Sequence, residues 1–245
     1  MYAYRDHNDP VELGFTDRLG GVSGAPWASL NLALDGDDDP AAVEANWSRL
    51  LDDFAPGSWL ADMRQVHGNT VAVVGAGPAP RPECDGIVTA MPGVVLAVRA
   101  ADCVPILLAD AEAGVIGAAH AGRNGVLSDV ASATVAAMRE LGATAIQAWV
   151  GPHVCGSCYE VPQQMQDEVV AAVPAAEART SWDTPSLDLG AAVAAQLQKA
   201  GAAVSDVSRC TRESADLYSY RRDAADAGRH VGLITLARRN GPHDE

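Results

Sequence analysis

The 245-residue chain has few aromatic residues, little positive charge and no long apolar run. Aromatics make up 5% and hydrophobic residues 48%. The core must therefore consist mainly of Ala, Val and Leu, which suits close-packed sheets covered by Ala-rich helices. Lys and Arg total 17 against 32 acidic residues, for a formal net charge of -15. This balance excludes nucleic acid as an expected partner, because polyphosphate binding needs clustered cations.

Targeting signals are also missing. No segment approaches the roughly 18 apolar residues of a membrane span, and no basic stretch followed by an apolar one opens the chain. We therefore expect a cytoplasmic protein with no membrane partner. The length allows one large domain or two small ones, and we predict a single domain over residues 1–245, with a polar, frayed tail at residues 238–245.

The cysteine count is five, an odd number spread through a chain too long to need disulfides. Cys155 and Cys158 form a C-x-x-C, which suggests a redox pair or half of a zinc site. A redox pair should begin a helix, and here a Pro-containing segment follows. A structural zinc site needs a second C-x-x-C or an equivalent, which the remaining Cys84, Cys103 and Cys210 do not supply. We therefore interpret Cys155 and Cys158 as structural thiols and Cys84 as a buried small residue.

Periodicity predicts an α/β (α+β) fold. Apolar runs at residues 94–99, 104–109 and 115–119 are typical of strands buried on both faces, and the last two are close enough to form a hairpin. Helical spacing and capping signals predict four helices, at residues 40–54, 127–141, 162–173 and 187–200. Strands are also expected at residues 87–90, 145–150 and 230–237, and on both sides of a bend at residues 65–69.

The predicted hairpin organises the candidate site by placing Cys103 opposite His120. Directly opposed residues have Cβ atoms roughly 4.5–5.5 Å apart, close enough to share a metal. His67, in the upstream bend, is the candidate third ligand. Two imidazoles and a thiolate suit catalytic zinc with one open position. The same donors bind copper, although blue copper sites add an axial Met that the hairpin lacks. A metal-free alternative has Cys103 as nucleophile and His120 as base.

Three arginines are candidates for holding an anion. Arg18 precedes a Gly-Gly turn in an acidic neighbourhood, where an ion pair with Asp17 is the competing interpretation. Arg221 and Arg222 stand in an aromatic and basic segment, where a structural ion-pair role is equally consistent.

These residues fall within seven short motifs that occur in order along almost the whole chain. The motifs are RLGGVS from Arg18, SLNL from Ser29, QVHG from Gln65, DGIVT from Asp85, ADCVP from Ala101, AHAG from Ala119 and YRRD from Tyr220. Together they resemble the family called laccase-domain or polyphenol oxidoreductase proteins, now purine nucleoside phosphorylases.

The resemblance implies a zinc site made by His67, Cys103 and His120, with Cys103 and His120 also catalytic. It implies mixed sheets enclosed by helices in a four-layer α/β/β/α arrangement. The implied reaction is phosphorolysis of adenosine, inosine and S-methyl-5'-thioadenosine, with adenosine deamination as a second activity. Nucleoside and phosphate are then the partners, and Arg18, Asn31 and Arg123 are the candidate substrate contacts.

The chain departs from the family pattern at two positions. Many members have Asn-Arg where this chain has Asn46-Trp47, and Ala-Gly-Trp where it has Arg123 after Ala-Gly. Arg49 or Arg123 is then the expected replacement as phosphate anchor.

Three alternative functions remain open at this point. Relatives are also described as peptidoglycan editing factors, which implies an amidase-like hydrolase. A copper-dependent polyphenol oxidase is less consistent, because one His2Cys site lacks the several coppers needed for four-electron oxygen reduction. A non-enzymatic metal-binding protein is the alternative from another class.

Overall fold

Thirteen strands and six α-helices are present among residues 1–75, 77 and 80–237, the part of the chain that the computed structural model describes. The strands are Tyr2–Asn8 (β1), Val11–Thr16 (β2), Trp59–Ala61 (β3), Val71–Val73 (β4), Gly86–Thr89 (β5), Val94–Ala100 (β6), Val104–Asp110 (β7), Val115–Ala121 (β8), Gln147–Val150 (β9), Glu177–Arg179 (β10), Pro185–Leu187 (β11), Ala203–Asp206 (β12) and His230–Leu236 (β13). The helices are Pro40–Phe54 (α1), Arg123–Leu127 (α2), Val130–Glu140 (α3), Gln163–Ala172 (α4), Leu189–Lys199 (α5) and Tyr220–Asp223 (α6). The tail predicted at residues 238–245 lies outside the described residues.

Two mixed sheets stack face to face. The first has the strand order β1-β2-β13-β6-β3, and the second has the order β12-β9-β7-β8-β5-β4. Alternate residues of a strand point to opposite faces, so Leu96 and Val98 of β6 pack toward Leu107 and Ile116 of the second sheet. Apolar side chains of both inner faces thus form the central core layer.

Helices cover the two outer faces. In the first sheet, Val95 and Ala97 alternate with the inward residues and pack under α1, against Trp47 and Leu50. On the second sheet, Ile106 belongs to a core that includes apolar residues of α3, α4 and α5. The predicted four-layer α/β/β/α arrangement is therefore confirmed.

Helix α1 begins where its sequence signals predict. The Asp39 side chain accepts a hydrogen bond from the Ala41 N–H at 3.0 Å, and Pro40 occupies the first turn. The helix predicted over residues 127–141 corresponds to α3, which begins three residues later, at Val130, and ends at Glu140. The short helix α2 ends before it, at Leu127, and Asp129, in the left-handed conformation with φ 59°, caps α3 by accepting the Ser132 N–H. No helix within the described ranges is both long and apolar enough to cross a bilayer.

The central hairpin forms as predicted, but its register is shifted. Strands β7 and β8 pair antiparallel across the turn at residues 111–114, with Asp110 opposite Val115. His120 therefore lies opposite Pro105. The prediction that Cys103 directly opposes His120 is wrong by two residues. A two-residue shift preserves the face, because side chains repeat every second residue, and Cys103 precedes the first residue of β7.

The upstream bend crosses between the two sheets. Strand β3 pairs with β6 in the first sheet, whereas β4 pairs with β5 in the second. Residues 62–70 therefore lead from one sheet edge to the other. The Gln65 side chain holds this crossing, because its amide accepts from the Arg99 N–H at 2.9 Å and donates to the Arg99 carbonyl at 2.8 Å.

Candidate metal centre and adjoining cavity

His67, Cys103 and His120 come together at the end of the hairpin. One ligand atom from each residue can be chosen such that all lie within 4.8 Å of one another, and the Cys103 Sγ and His67 Nε2 atoms are 3.9 Å apart. The two imidazole rings meet edge to face, with centroids 4.8 Å apart. His120 is buried and His67 is exposed, so the cluster opens on one side.

Asp85 holds two of the three ligands in place. One of its carboxylate oxygens accepts the His67 N–H at 3.0 Å and the other accepts the N–H groups of Val66 and Gly68. These bonds support the left-handed conformation of His67, whose φ is 61°. The same carboxylate lies 2.9 Å from Nδ1 of His120. A neutral His120 then carries its proton on Nδ1, which leaves Nε2 as the metal ligand.

The protonation states fit a metal centre. Burial lowers the pKa of His120, although Asp85 opposes that shift, so the ring is neutral at pH 7. Burial of Asp85 alone would raise its pKa, but His120 and the backbone N–H groups hold it below its usual range. Burial raises the pKa of the Cys103 thiol to about 12. A thiol so protonated is a poor metal-free nucleophile, whereas a bound cation deprotonates a coordinating thiol.

Because Gly122 has no side chain, the side chains of His67 and Cys103 can occupy the space beside it. A Cβ at this position would lie 2.7 Å from Cδ2 of His67 and 3.0 Å from Sγ of Cys103. The backbone of Gly122 is extended, with φ -81°, so only steric overlap excludes a side chain here. The three donors, their spacing and this gap fit one metal ion.

A cavity of about 670 Å³ adjoins the cluster and includes all three ligand residues in its wall. This volume is typical of sites for small organic ligands. Three aromatic residues, Trp27, Tyr159 and Tyr220, also line it. They provide flat apolar surfaces of the kind on which a heterocycle stacks.

Four arginines line the same cavity and fall into two pairs. Arg64 and Arg99 are neutralised by carboxylates, Arg64 by Glu83 at 3.0 Å and Arg99 by Asp62 at 3.2 Å. Within the described ranges, neither Arg221 nor Arg229 has a carboxylate within ion-pair distance.

The two unpaired cavity arginines are held by other contacts. Arg221 stacks on Tyr159, with its guanidinium carbon 4.3 Å from the ring centroid, and donates to the Glu160 carbonyl. Arg229 is half-buried and donates to the Ala227 and Gly228 carbonyls. Because they lack a carboxylate partner, both can attract an anion to the cavity.

The predicted substrate contacts occupy different places. Asn31 lines the cavity, but its side chain is used internally, donating to Asp38 and accepting the Arg229 N–H at 2.9 Å. Arg18 is outside the cavity wall, stacked on Tyr218 and bonded to the Ala28 carbonyl at 2.7 Å rather than paired with Asp17.

Arg123 is likewise outside the wall, 3.8 Å from a Glu168 oxygen. Trp47 is buried beneath the first sheet and Arg49 donates to the Gly20 carbonyl, so neither borders the cavity. Having Trp at position 47, where many family members have Arg, therefore does not remove a positive charge from the cavity wall. Arg222, the other basic candidate, pairs with Asp223 and donates to backbone carbonyls of the 211–217 loop.

Sequence reasoning missed Asp85, Gly122 and Arg229. Asp85 and Gly122 stand inside motifs, but a turn-forming Asp-Gly and a Gly after a strand have ordinary structural explanations. Arg229 stands in no motif, and its place in the cavity depends on the packing of β13.

The chain resembles known proteins over most of its length. A family model described as multi-copper polyphenol oxidoreductase laccase matches residues 12–237. The chain is 51% identical over 247 residues to a Streptomyces coelicolor protein named purine nucleoside phosphorylase, covering 96% of this chain and 100% of that protein. A Streptomyces griseus protein of the same name is 51% identical over 237 residues, with 92% and 94% of the two chains covered.

The fold also matches a solved structure. A crystal structure of a Neisseria meningitidis protein superposes with a TM-score of 0.83 at 31% identity, covering 96% of this chain and 98% of that one. The family resemblance predicted from the seven motifs is confirmed, and the chain belongs to the family described as multi-copper polyphenol oxidoreductase laccase.

Proposed function

We propose that this protein is a zinc-dependent purine nucleoside phosphorylase that acts on adenosine, inosine and S-methyl-5'-thioadenosine and also deaminates adenosine. The observation that carries the proposal is one cavity lined by the His67–Cys103–His120 cluster, aromatic rings and two unpaired arginines. The names of the Streptomyces relatives support the phosphorylase activity. The cysteines are free thiols, which supports a reducing, cytoplasmic location.

Zinc suits the donor set better than copper. His67, Cys103 and His120 provide three ligands, as in catalytic zinc sites with an open fourth position. No methionine is found among the residues that line the cavity in the described part of the chain, so the weak axial ligand of blue copper sites is lacking. When bound, zinc would supply Lewis-acid chemistry at the cavity wall.

The residues of this chain bind and orient the two substrates in the proposed reaction. Arg221 and Arg229 hold phosphate, since a guanidinium forms paired hydrogen bonds with phosphate oxygens. Tyr159 and Trp27 stack on the purine, which places the ribose between base and phosphate. A phosphate oxygen then forms a bond to the anomeric carbon as the bond from that carbon to the purine nitrogen breaks. The purine leaves with the electron pair of that bond and takes up a proton from water. Arg18 and Arg123 remain predictions as substrate contacts and lie outside this arrangement.

Product analysis tests the proposal. Zinc-loaded protein is mixed with adenosine, with and without phosphate, and the products are separated and identified. Ribose-1-phosphate formed only with phosphate supports phosphorolysis, and inosine formed without phosphate supports deamination. If zinc is bound and neither product appears, the nucleoside assignment is wrong.

Replacing Arg229 with glutamine is expected to raise the KM for phosphate about 10- to 150-fold, because a hydrogen bond to a charged group contributes about 1.5–3 kcal/mol. The KM for nucleoside should change much less. Steady-state kinetics at varied phosphate concentration measure both values. Arg179→Gln is the matched control, because Arg179 is exposed, pairs with Asp183 and does not line the cavity. Equal effects of the two substitutions would contradict the role of Arg229.

A further inference from the structure

A second cluster of metal-ligand side chains lies apart from the cavity cluster. Cys155, Cys158, Cys210 and Glu213 can each offer one ligand atom such that all four atoms lie within 4.8 Å of one another. Two pairs with identical spacing make up the cluster, a C-x-x-C and a C-x-x-E. The sequence predicts no equivalent of a second C-x-x-C at Cys210, but the fold brings Cys210 and Glu213 beside the first pair.

Each pair sits on its own closed turn. In the first, the Cys155 carbonyl accepts the N–H groups of Cys158 and Tyr159 at 3.0 and 3.1 Å. In the second, the Cys210 carbonyl accepts the Ser214 N–H at 3.0 Å. Both turns therefore hold their ligand residues on one side before any ion binds, which lowers the conformational cost of binding.

The two turns are joined by backbone hydrogen bonds. His153 and Cys210 form a parallel bridge, in which the His153 N–H donates to the Arg209 carbonyl and the Thr211 N–H donates to the His153 carbonyl at 3.0 Å. Between the two turns, the Cys155 N–H donates to Sγ of Cys210 at 3.5 Å. A backbone donor aimed at sulfur stabilises that sulfur as a thiolate ligand.

We propose that Cys155, Cys158, Cys210 and Glu213 bind a second zinc ion in a closed, structural site. Three sulfur donors select zinc over magnesium or calcium, which prefer oxygen ligands. Four protein ligands complete a tetrahedral shell, which distinguishes this site from the three-ligand cavity cluster. The Glu213 carboxylate already lies 3.5 Å from Sγ of Cys158.

A redox pair is the competing assignment for Cys155 and Cys158. Reactive C-x-x-C thiols have a lowered pKa, usually because a helix begins at the motif. Here the next helix, α4, begins only at Gln163. The surroundings therefore favour a ligand over a redox centre.

The second site would stiffen one wall of the cavity. Tyr159, which lines the cavity, directly follows Cys158. Thr211, which directly follows Cys210, donates its hydroxyl to Asp102 at 2.6 Å, and the other Asp102 oxygen accepts the Arg221 N–H at 2.5 Å. Asp102 in turn precedes Cys103. An ion that ties the two turns together therefore also fixes the residues beside the proposed substrate site.

Zinc counting tests the second site without relying on enzyme activity. Protein purified under reducing conditions with zinc is expected to hold two zinc ions per chain by elemental analysis. Cys210→Ser should hold one, and His67→Ala should hold one. Cys84→Ala is the matched cysteine control and should keep both, because Cys84 is buried outside either cluster. One zinc ion in the wild type that His67→Ala removes and Cys210→Ser retains would overturn the proposal.

Thiol labelling of the wild-type protein keeps the test decisive if Cys210→Ser fails to fold. Alkylation followed by peptide mass spectrometry should show Cys155, Cys158 and Cys210 protected with zinc and modified after chelation. A disulfide between Cys155 and Cys158 in the zinc-loaded protein, or labelling unaffected by zinc, would count against the site. Glu213→Ala, at an exposed position, should weaken protection of the same three thiols.

Discussion

Replacing Asp85 with alanine is expected to lower zinc affinity at the cavity cluster by about 100-fold, the upper end of the range for losing a residue that orients metal ligands. The effect is large because one carboxylate holds both the His67 backbone and the His120 ring. Phosphorolysis should fall in parallel at limiting zinc. Competition with a chelator measures the affinity, and product formation measures the activity.

Asp110→Ala is the matched control for Asp85→Ala. Asp110 is also fully buried and also accepts three backbone N–H groups, from Ala113, Thr144 and Ala145, but it lies at the opposite end of the hairpin. Both substitutions should destabilise the fold, by about 1–3 kcal/mol for each N–H left unpaired. Only Asp85→Ala should weaken zinc binding. Equal zinc affinity in the two variants would show that Asp85 does not position the ligands.

Replacing Gly122 with alanine is expected to remove one zinc ion per chain and to reduce phosphorolysis at least about 100-fold, since displacements near 1 Å cost that much in a preorganised site. The new Cβ would overlap the His67 ring, 2.7 Å away, and push it from the cluster. Elemental analysis and initial rates measure the two effects. The melting temperature of the zinc-free protein should fall only slightly, because movement of the exposed His67 ring relieves the overlap and the extended backbone of Gly122 accommodates alanine.

Gly24→Ala is the control for Gly122→Ala. A Cβ at Gly24 meets nothing within 4 Å, and its φ is not positive. This variant should keep its zinc and its activity. If Gly122→Ala also binds zinc normally, then His67 is not a ligand in the position that the structure assigns to it.

Local patterns predicted the elements of the fold well. The apolar runs at residues 94–99, 104–109 and 115–119 are strands, and the helix begun by Asp39 and Pro40 ends at Phe54 as expected. These elements are encoded by neighbouring residues, through side-chain periodicity and capping. The cluster of His67, Cys103 and His120 was also predictable, because a short hairpin brings two of its members together.

The prediction was wrong about the register of the β7–β8 hairpin, which depends on which residues pair beside the turn. The hairpin prediction paired Cys103 with His120, but Asp110 joins β7 and pairs with Val115. Apolar alternation specifies which face a residue occupies and leaves shifts of two residues undetermined. The three side chains still lie together, because a shift of two residues leaves Cys103 close to His120.

The sequence by itself determined the strands, the helices, the negative charge and three candidate ligands, because each depends on composition or on residues close together in the chain. Tertiary structure alone decided that Asp85 serves two histidines, that Arg229 reaches the cavity, and that Cys210 and Glu213 join Cys155 and Cys158. Those contacts link segments far apart in sequence. Their formation depends on how the sheets and loops pack, which no local pattern encodes.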